Sequence, residues 1–108
     1  MMKTSYTLAA LLLSAAGFAH ADEAAQMARG KLLFTTAAVP ACAVCHTLKD
    51  AGTEGAIGPV LDELQPDAAR VARALKDGIG SMPSFKATMS EEDIAAVSLY
   101  VSKASRAK

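Results

Sequence analysis

The stretch PACAVCHTLKD, residues 40–50, places Cys42 and Cys45 three positions apart, with His46 directly after the second thiol. These are the only two cysteines of the 108-residue chain. A zinc site, a disulfide or dithiol and a covalently attached haem each use some of these side chains. The rest of the sequence has to decide between them.

The first 21 residues have the pattern of a secretory signal peptide. Lys3 precedes an apolar run from Leu8 to Phe18, and Ala19-His20-Ala21 is a small-x-small cleavage pattern. The apolar run spans about eleven residues, whereas a membrane-spanning helix needs roughly twenty. An uncleaved anchor is the alternative. We predict cleavage after Ala21, a mature domain of residues 22–108 without a membrane span, and a location outside the cytoplasm.

Cleavage would also change the composition of the chain. His20 would leave, so that His46 is the single histidine of residues 22–108, and the net charge would fall from zero to about −1 with the loss of Lys3. This balance does not indicate a nucleic acid or an anionic membrane as a partner. Aromatic residues make up only 5% of the chain, so a bound macrocycle would help to fill the interior.

Three helical patterns separated by turn-forming segments predict an all-α fold. The first runs from about Glu23 to Thr35, with apolar residues and Gly30 recurring at three-to-four spacing. The second follows Pro66 and Asp67, a plausible N-cap, and Gly78 is expected to end it in a left-handed conformation. No stretch alternates between apolar and polar residues as a strand does.

The third helical pattern opens with SEED. Ser90 is its expected N-cap, and Asp93, three residues on, can return the hydrogen bond as in a capping box. Fraying is expected over residues 103–108. The predicted apolar stripe of this helix comprises Ile94, Val97, Tyr100 and Val101.

Zinc and a disulfide each leave part of the CAVCH motif unexplained. A structural zinc usually takes four Cys or His ligands, whereas residues 22–108 offer three, and adjacent Cys45 and His46 would point in different directions. Two cysteines outside the cytoplasm normally form a disulfide, but so small a ring stabilises a fold little. Thioredoxin-type chemistry needs a βαβ scaffold, and either disulfide interpretation gives His46 no role.

A covalently attached haem uses all three side chains. Two thiols three positions apart can each add across a vinyl group of a porphyrin, and the next imidazole then reaches the iron as an axial ligand. C-x-x-C-H is the pattern of c-type haem attachment. We therefore favour one haem c, attached through Cys42 and Cys45, with His46 as iron ligand.

A methionine is the available residue for the other axial position, because residues 22–108 contain no second histidine. Met27 lies on the apolar stripe of the first helix, and Met89 precedes the Ser90 cap as a hydrophobic staple would. Met82 lies in the loop GIGSMPSF, where Pro83 stiffens the backbone beside it. Met82 is therefore the predicted sixth ligand, and packing in the core is its alternative role.

Four motifs in order resemble the small class I c-type cytochromes of bacterial periplasms. GKLLF (30–34) resembles their N-terminal helix, whose glycine permits a close crossing with a C-terminal helix carrying an aromatic residue, here Tyr100. CAVCH (42–46) is the haem motif, GPVL (58–61) resembles the G-P-x-L loop, and MPSF (82–85) resembles the segment with the distal methionine. The resemblance covers nearly all of residues 22–108. It implies the cytochrome c fold, with three main helices plus loops around one haem, and a hydrogen bond from the His46 imidazole to the Pro59 carbonyl.

The resemblance implies an electron carrier and not an enzyme. A haem ligated by His46 and Met82 has no open position for a substrate and cycles one electron. The expected partners are redox proteins: a periplasmic dehydrogenase as donor, and a terminal oxidase or another cytochrome as acceptor. The chain is also similar to cytochromes that accompany periplasmic molybdenum-dependent sulfite dehydrogenases, which suggests sulfite oxidation. If Met82 is not a ligand, the alternative is a haem protein with an open distal site that binds a ligand or acts on peroxide.

Transient docking is expected at the exposed haem edge, as in the family. One departure from the family pattern lies there, because TTAAVPA (35–41) adds a short apolar segment before the haem motif. The Met82–Pro83 loop would lie opposite, with Lys49 and Lys86 near the rim. The residues expected to form this surface are Val39, Pro40, Ala41, Ala43 and Val44.

Overall fold

The computed structural model describes Met2 and residues 15–107, with side chains for Met2 and from Asp22 onward. This part of the chain forms four α-helices and no β-strand, which confirms the all-α prediction. The helices are α1 (Ala15–Leu32), α2 (Leu61–Leu64), α3 (Ala68–Asp77) and α4 (Glu91–Ala104). Short 3-10 turns lie at Cys42–Val44 and Lys49–Ala51.

Most of the predicted signal segment lies outside the described residues, so the expected cleavage after Ala21 stays a prediction. Helix α1 begins at Ala15, within that segment. None of the helices in the described residues has the length and apolar character that a membrane crossing requires.

Helix α1 ends differently from the expected boundary at Thr35. After Leu32 the chain continues as a π-helical turn over Leu33–Ala37. The Thr35 hydroxyl donates to the Lys31 carbonyl at 2.9 Å, and the Thr36 hydroxyl donates to the Leu32 carbonyl at 3.3 Å. These side-chain hydrogen bonds compete with the regular helical pattern, which accounts for the wider turn at this point.

Helices α1 and α4 cross in close contact at Gly30. A Cβ atom at Gly30 would lie 2.3 Å from the Ala96 carbonyl oxygen and 2.6 Å from Tyr100 Cβ. Beside the crossing, the rings of Phe34 and Tyr100 pack with centroids 6.0 Å apart. The predicted crossing of a glycine with an aromatic-bearing helix is therefore confirmed.

Helix α3 begins and ends at the expected residues, with one correction. The Asp67 carboxylate accepts from the Arg70 backbone N–H at 2.8 Å and is the N-cap. Gly78 ends the helix with φ 71° and ψ 166°. Its φ is positive as expected, but its ψ lies outside the left-handed helical region, because the chain leaves α3 directly into an extended turn toward Met82.

The expected capping box of α4 is only half formed. The Ser90 hydroxyl accepts from the Asp93 backbone N–H at 3.1 Å, as predicted. The Asp93 carboxylate does not return the bond, because both its oxygens accept from the Arg29 guanidinium at 3.0 Å. A bidentate ion pair to α1 therefore replaces the local hydrogen bond.

The expected fraying after residue 103 is wrong for the described residues. Ala104 and Ser105 are buried. The Arg106 guanidinium donates to the Gln65 carbonyl at 2.7 Å and to the Pro66 carbonyl at 3.0 Å. These bonds hold the end of the chain against the segment between α2 and α3.

The buried core unites the π-helical turn that follows α1, helices α2, α3 and α4 and the loops between them, and Met27 of α1 packs against it. All four residues of the predicted α4 stripe belong to it. Phe85 of the MPSF segment and Leu48 after the haem motif are also buried. The core residues are Leu33, Phe34, Ala38, Leu48, Leu61, Leu75, Phe85, Met89, Ile94, Ala96, Val97, Tyr100, Val101 and Ala104.

Candidate functional site

The CAVCH motif forms a tight turn that presents both thiols and the imidazole to one cavity. The Cys42 carbonyl accepts from the backbone N–H groups of Cys45 at 3.1 Å and of His46 at 2.9 Å. All three residues line a cavity of about 620 Å³, within the usual range of cofactor pockets. The short 3-10 turn thus brings side chains that are adjacent in sequence onto a shared wall.

The thiol environment disfavours a dithiol redox site. Burial raises the pKa of Cys42 to about 11. A reactive dithiol needs a lowered pKa, because the thiolate is the nucleophile. This shift is opposite in direction to the one that a reactive dithiol needs.

The described residues also give no support to a zinc site. They contain no group of three or more His, Cys, Asp or Glu side chains arranged to hold a metal ion. Of the alternatives considered for CAVCH, haem attachment is the one that uses the observed cavity.

The His46 ring is held by the segment that follows the motif. Its Nδ1 atom lies 2.8 Å from the Pro59 carbonyl oxygen. A carbonyl can only accept, so the contact requires the proton on Nδ1, and in the neutral ring Nε2 then has the lone pair that a metal ligand needs. This is the contact that the G-P-x-L resemblance implies, and it would strengthen His46 as a ligand.

Further hydrogen bonds attach the same segment to the motif backbone. The Gly58 N–H donates to the Cys45 carbonyl at 2.7 Å, and the Thr53 hydroxyl donates to the His46 carbonyl at 3.1 Å. The Thr47 hydroxyl donates to the Gly55 carbonyl at 3.2 Å. The loop over residues 53–59 is therefore a fixed wall behind His46.

Met82 lines the same cavity as His46. The Ile79 and Met82 backbones exchange two hydrogen bonds, of 3.0 and 2.9 Å, which close the turn that carries the thioether. Met27 and Met89 pack with the core and do not line the cavity, whereas Met82 packs against the core and also lines the cavity. Among the described methionines, Met82 is thus the one placed to face a group bound beside His46.

Side chains that the sequence interpretation did not assign to the site also line the cavity. Arg70 and Arg73 of α3 do so. Arg70 and Arg73 are three residues apart, and Asp77 follows four residues after Arg73. This spacing was the available signal that the three side chains share one face of α3. Haem carries two carboxylates, so the two guanidiniums suit it chemically.

Ile57 and Ile79 line the cavity and are each 70% exposed. Val39 and Val44, which the sequence analysis expected at the haem edge, are 80% and 61% exposed. A group bound in the cavity would cover part of Ile57 and Ile79, whereas Val39 and Val44 do not line the cavity.

The residues present fit a haem group. Cys42, Cys45, His46, Pro59 and Met82 all line one cavity, and most of the other lining residues are apolar. The imidazole has its Nδ1 proton engaged, and a soft thioether shares the cavity with it. An all-α domain with this arrangement defines the class of small c-type cytochromes.

Comparison with known proteins gives the family. A family model described as "Cytochrome C oxidase, cbb3-type, subunit III" matches residues 25–101. The chain is similar to a solved structure, the c-type cytochrome SorU from Sinorhizobium meliloti, with 46% identity and a TM-score of 0.73 over 76% of this chain and 93% of that chain. No match was found among curated proteins. The chain therefore belongs to the cytochrome c family as a small class I c-type cytochrome, and the family implies haem c and an electron-carrying role.

Proposed function

We propose that this protein is a periplasmic one-electron carrier with a single haem c, attached through Cys42 and Cys45 and ligated by His46 and Met82. The observation that carries the proposal is the cavity that both thiols, the imidazole and the thioether line together. The predicted signal peptide supports the location, because c-type haem proteins with an N-terminal export signal act outside the cytoplasm.

Haem bound in this cavity supplies an iron that exchanges one electron between its ferric and ferrous states. The Pro59 carbonyl holds His46 in the tautomer with Nε2 free. Met82 would supply a soft sulfur donor to the iron, which would favour the reduced state and leave no site for a substrate. The apolar lining excludes water and disfavours the additional charge of the oxidised state, so we expect a moderately positive reduction potential.

The proposed donor is a periplasmic dehydrogenase, with a terminal oxidase or another cytochrome as acceptor. Among donors, the similarity of GAIGPVLDELQPDAARV and GIGSMPSF to cytochromes of sulfite-oxidising systems favours a sulfite dehydrogenase. Docking would use the exposed apolar residues around the haem motif and would bury little area, as transient redox encounters do. Mixing the oxidised protein with a candidate dehydrogenase and sulfite tests the donor: haem reduction that requires both components supports it, and no reduction rejects it.

Haem attachment is tested on the full chain exported with a c-type haem maturation system. Acid–acetone should leave the haem on the protein, because thioether bonds are not extractable. Loss of all haem into the solvent would reject covalent attachment. Mass spectrometry of the mature protein would give both the haem count and the cleavage position.

Axial ligation is tested by Met82→Leu against Met27→Leu as a matched control. The ferric wild-type protein should show the methionine–iron charge-transfer band. Met82→Leu should abolish it and lower the potential, whereas Met27→Leu should preserve it, since Met27 packs with the core. A high-spin five-coordinate spectrum in the wild-type protein would contradict the proposal and favour the open-site alternative, a ligand-binding or peroxidatic haem protein.

A further inference from the structure

Gly58 lies between the two backbone contacts that join the loop over residues 53–59 to the haem motif. Its N–H donates to the Cys45 carbonyl at 2.7 Å, and the next residue, Pro59, accepts from His46 Nδ1 at 2.8 Å. Gly58 is therefore held against the His46 ring from both sides and has little freedom to move away from it.

The space beside Gly58 is occupied by the imidazole. A Cβ atom at this position would lie 2.5 Å from His46 Cε1, 2.8 Å from Nδ1 and 3.0 Å from Nε2. Its nearest neighbours are thus three atoms of one ring. Carbon atoms in contact are ordinarily about 3.5–4.0 Å apart, so the ring could not keep its position beside a Cβ atom.

The backbone of Gly58 does not itself require a glycine. The glycines with positive φ are Gly52, Gly78 and Gly80, and Gly58 is not among them. Its φ is therefore outside the left-handed region that favours glycine. The contact with the ring is therefore the reason for the missing side chain.

We propose that Gly58 is a positioning residue that sets the plane of the His46 imidazole. The inference rests on the proposed function, in which His46 ligates the haem iron. A methyl group at position 58 would push against Cε1, the ring atom between the two nitrogens. Since Cys45 and Pro59 hold the loop, the ring must rotate about its side-chain bonds or lengthen its hydrogen bond to Pro59, and either change alters the donor properties of Nε2.

The test compares Gly58→Ala with Gly52→Ala in the haem-loaded protein. Both variants add one methyl group to the segment between the haem motif and α2. At Gly52 nothing lies within 4 Å of the added Cβ, but φ is +66°, so this control introduces backbone strain without touching His46. Two readouts report on the ligand itself: the pattern of paramagnetically shifted haem methyl resonances in the ferric state, and the reduction potential.

We expect Gly58→Ala to rearrange the order or spread of the haem methyl resonances and to shift the potential. Gly52→Ala should lower the unfolding midpoint while keeping the wild-type resonance pattern and potential. An unchanged pattern and potential in Gly58→Ala would overturn the inference, as would equal changes in both variants. If the wild-type protein itself lacked a low-spin histidine-ligated spectrum, the proposed function would fail, which is a separate result.

A second variant covers the case in which Gly58→Ala accumulates no haem-loaded protein. His46→Gly, matured with imidazole in the medium, removes the tethered ring that a Cβ at position 58 would meet. Adding Gly58→Ala to that background should leave the yield of haem-loaded protein at the level of His46→Gly alone. A further loss of yield there would show that the side chain is excluded by something other than His46, and it would overturn the inference.

Discussion

Gln65 is the non-glycine residue with positive φ in the described part of the chain, at φ 48° and ψ 56°. It ends α2 in the left-handed helical conformation, which costs an L-residue about 1–2 kcal/mol relative to its usual regions. Its carbonyl accepts from Arg106 at 2.7 Å, and this bond involves only the Gln65 backbone. The backbone strain at Gln65 can therefore be removed by a substitution that keeps its hydrogen bond with Arg106.

We predict that Gln65→Gly raises the free energy of unfolding by about 0.5–1 kcal/mol, because glycine adopts this conformation freely and only part of the gain is lost to the more flexible unfolded chain. Urea unfolding followed by circular dichroism measures the change. Gln65→Ala is the control, since it removes the same polar group but keeps Cβ, and it should bring no gain. A lower urea midpoint for the glycine variant would contradict the explanation.

The residues proposed to attach and ligate the haem were the most predictable part of the site. Cys42, Cys45 and His46 are adjacent in sequence, so their spacing alone indicates a shared site. Arg70, Arg73, Ile57 and Ile79 were missed, because they reach the cavity only through tertiary packing. The close contact of Gly58 with the ring was equally invisible, since sequence shows a glycine but not what fills the space beside it.

At the level of elements, an ion pair between Arg29 and Asp93 links α1 to the N-terminus of α4. The hydrogen bonds from Arg29 hold the pKa of Asp93 below its ordinary value of 3.8, and the same carboxylate raises the pKa of Arg29. Arg29 therefore stays protonated wherever Asp93 titrates. The stabilisation is present above the ordinary aspartate pKa and is lost as pH falls through the lowered pKa of the folded state.

We predict that Asp93→Asn lowers the free energy of unfolding at neutral pH and that its difference from wild type shrinks toward zero as the pH falls below 3.8. Because both side chains are partly exposed, the effect should be modest and should weaken with salt. Urea unfolding at a series of pH values gives the curve.

The same substitution in an Arg29→Gln background isolates the pair from the effect of a negative charge near the start of α4. Asp93→Asn should cost less there than in the wild-type chain. An equal cost in both backgrounds would show that the ion pair contributes nothing and that the helix end accounts for the whole effect.

Helix types and caps were predictable where the signal is local, and less so where a distant residue competes. Ser90 and Asp67 cap the helices that follow them, as their positions predicted. The Asp93 carboxylate was assigned to a local bond but pairs with Arg29, 64 residues away. The π-helical turn after Leu32 likewise has no signature in apolar spacing.

At the scale of the whole molecule, the C-terminal helix joins three parts of the chain. The missing side chain at Gly30 allows α4 to pack against α1. The Tyr100 hydroxyl donates to the Asp50 carboxylate, just after the haem motif, at 2.6 Å. Arg106, which follows α4, donates to the backbone at the end of α2. Burial and the bond to Asp50 raise the pKa of Tyr100, so the hydroxyl keeps its proton and the link persists through the neutral range. The Gly30 crossing was predictable from the family resemblance, whereas the other two links depend on loop paths that sequence periodicity does not encode.

The exposed side chains beside the haem motif include the apolar Val39 and Val44, and the chain carries almost no net charge after the predicted cleavage. Electron transfer between two copies of this protein should therefore depend little on salt. Self-exchange is a suitable measurement, because one electron passes from a reduced copy to an oxidised copy and no other protein takes part. Its rate follows from NMR line broadening in mixtures of the two states.

We predict that Val44→Lys slows self-exchange at low salt and that added salt restores much of the rate, because two like charges meet when the surfaces beside the haem motif approach each other. Leu32→Lys is the matched control: it makes the same change at an apolar residue that is 49% exposed and lies at the end of α1, outside the surface expected at the haem edge. Its rate should stay close to that of the wild-type protein. Equal slowing by both variants would mean that net charge, and not the surface beside Val44, governs the encounter, and the proposed docking surface would then be wrong.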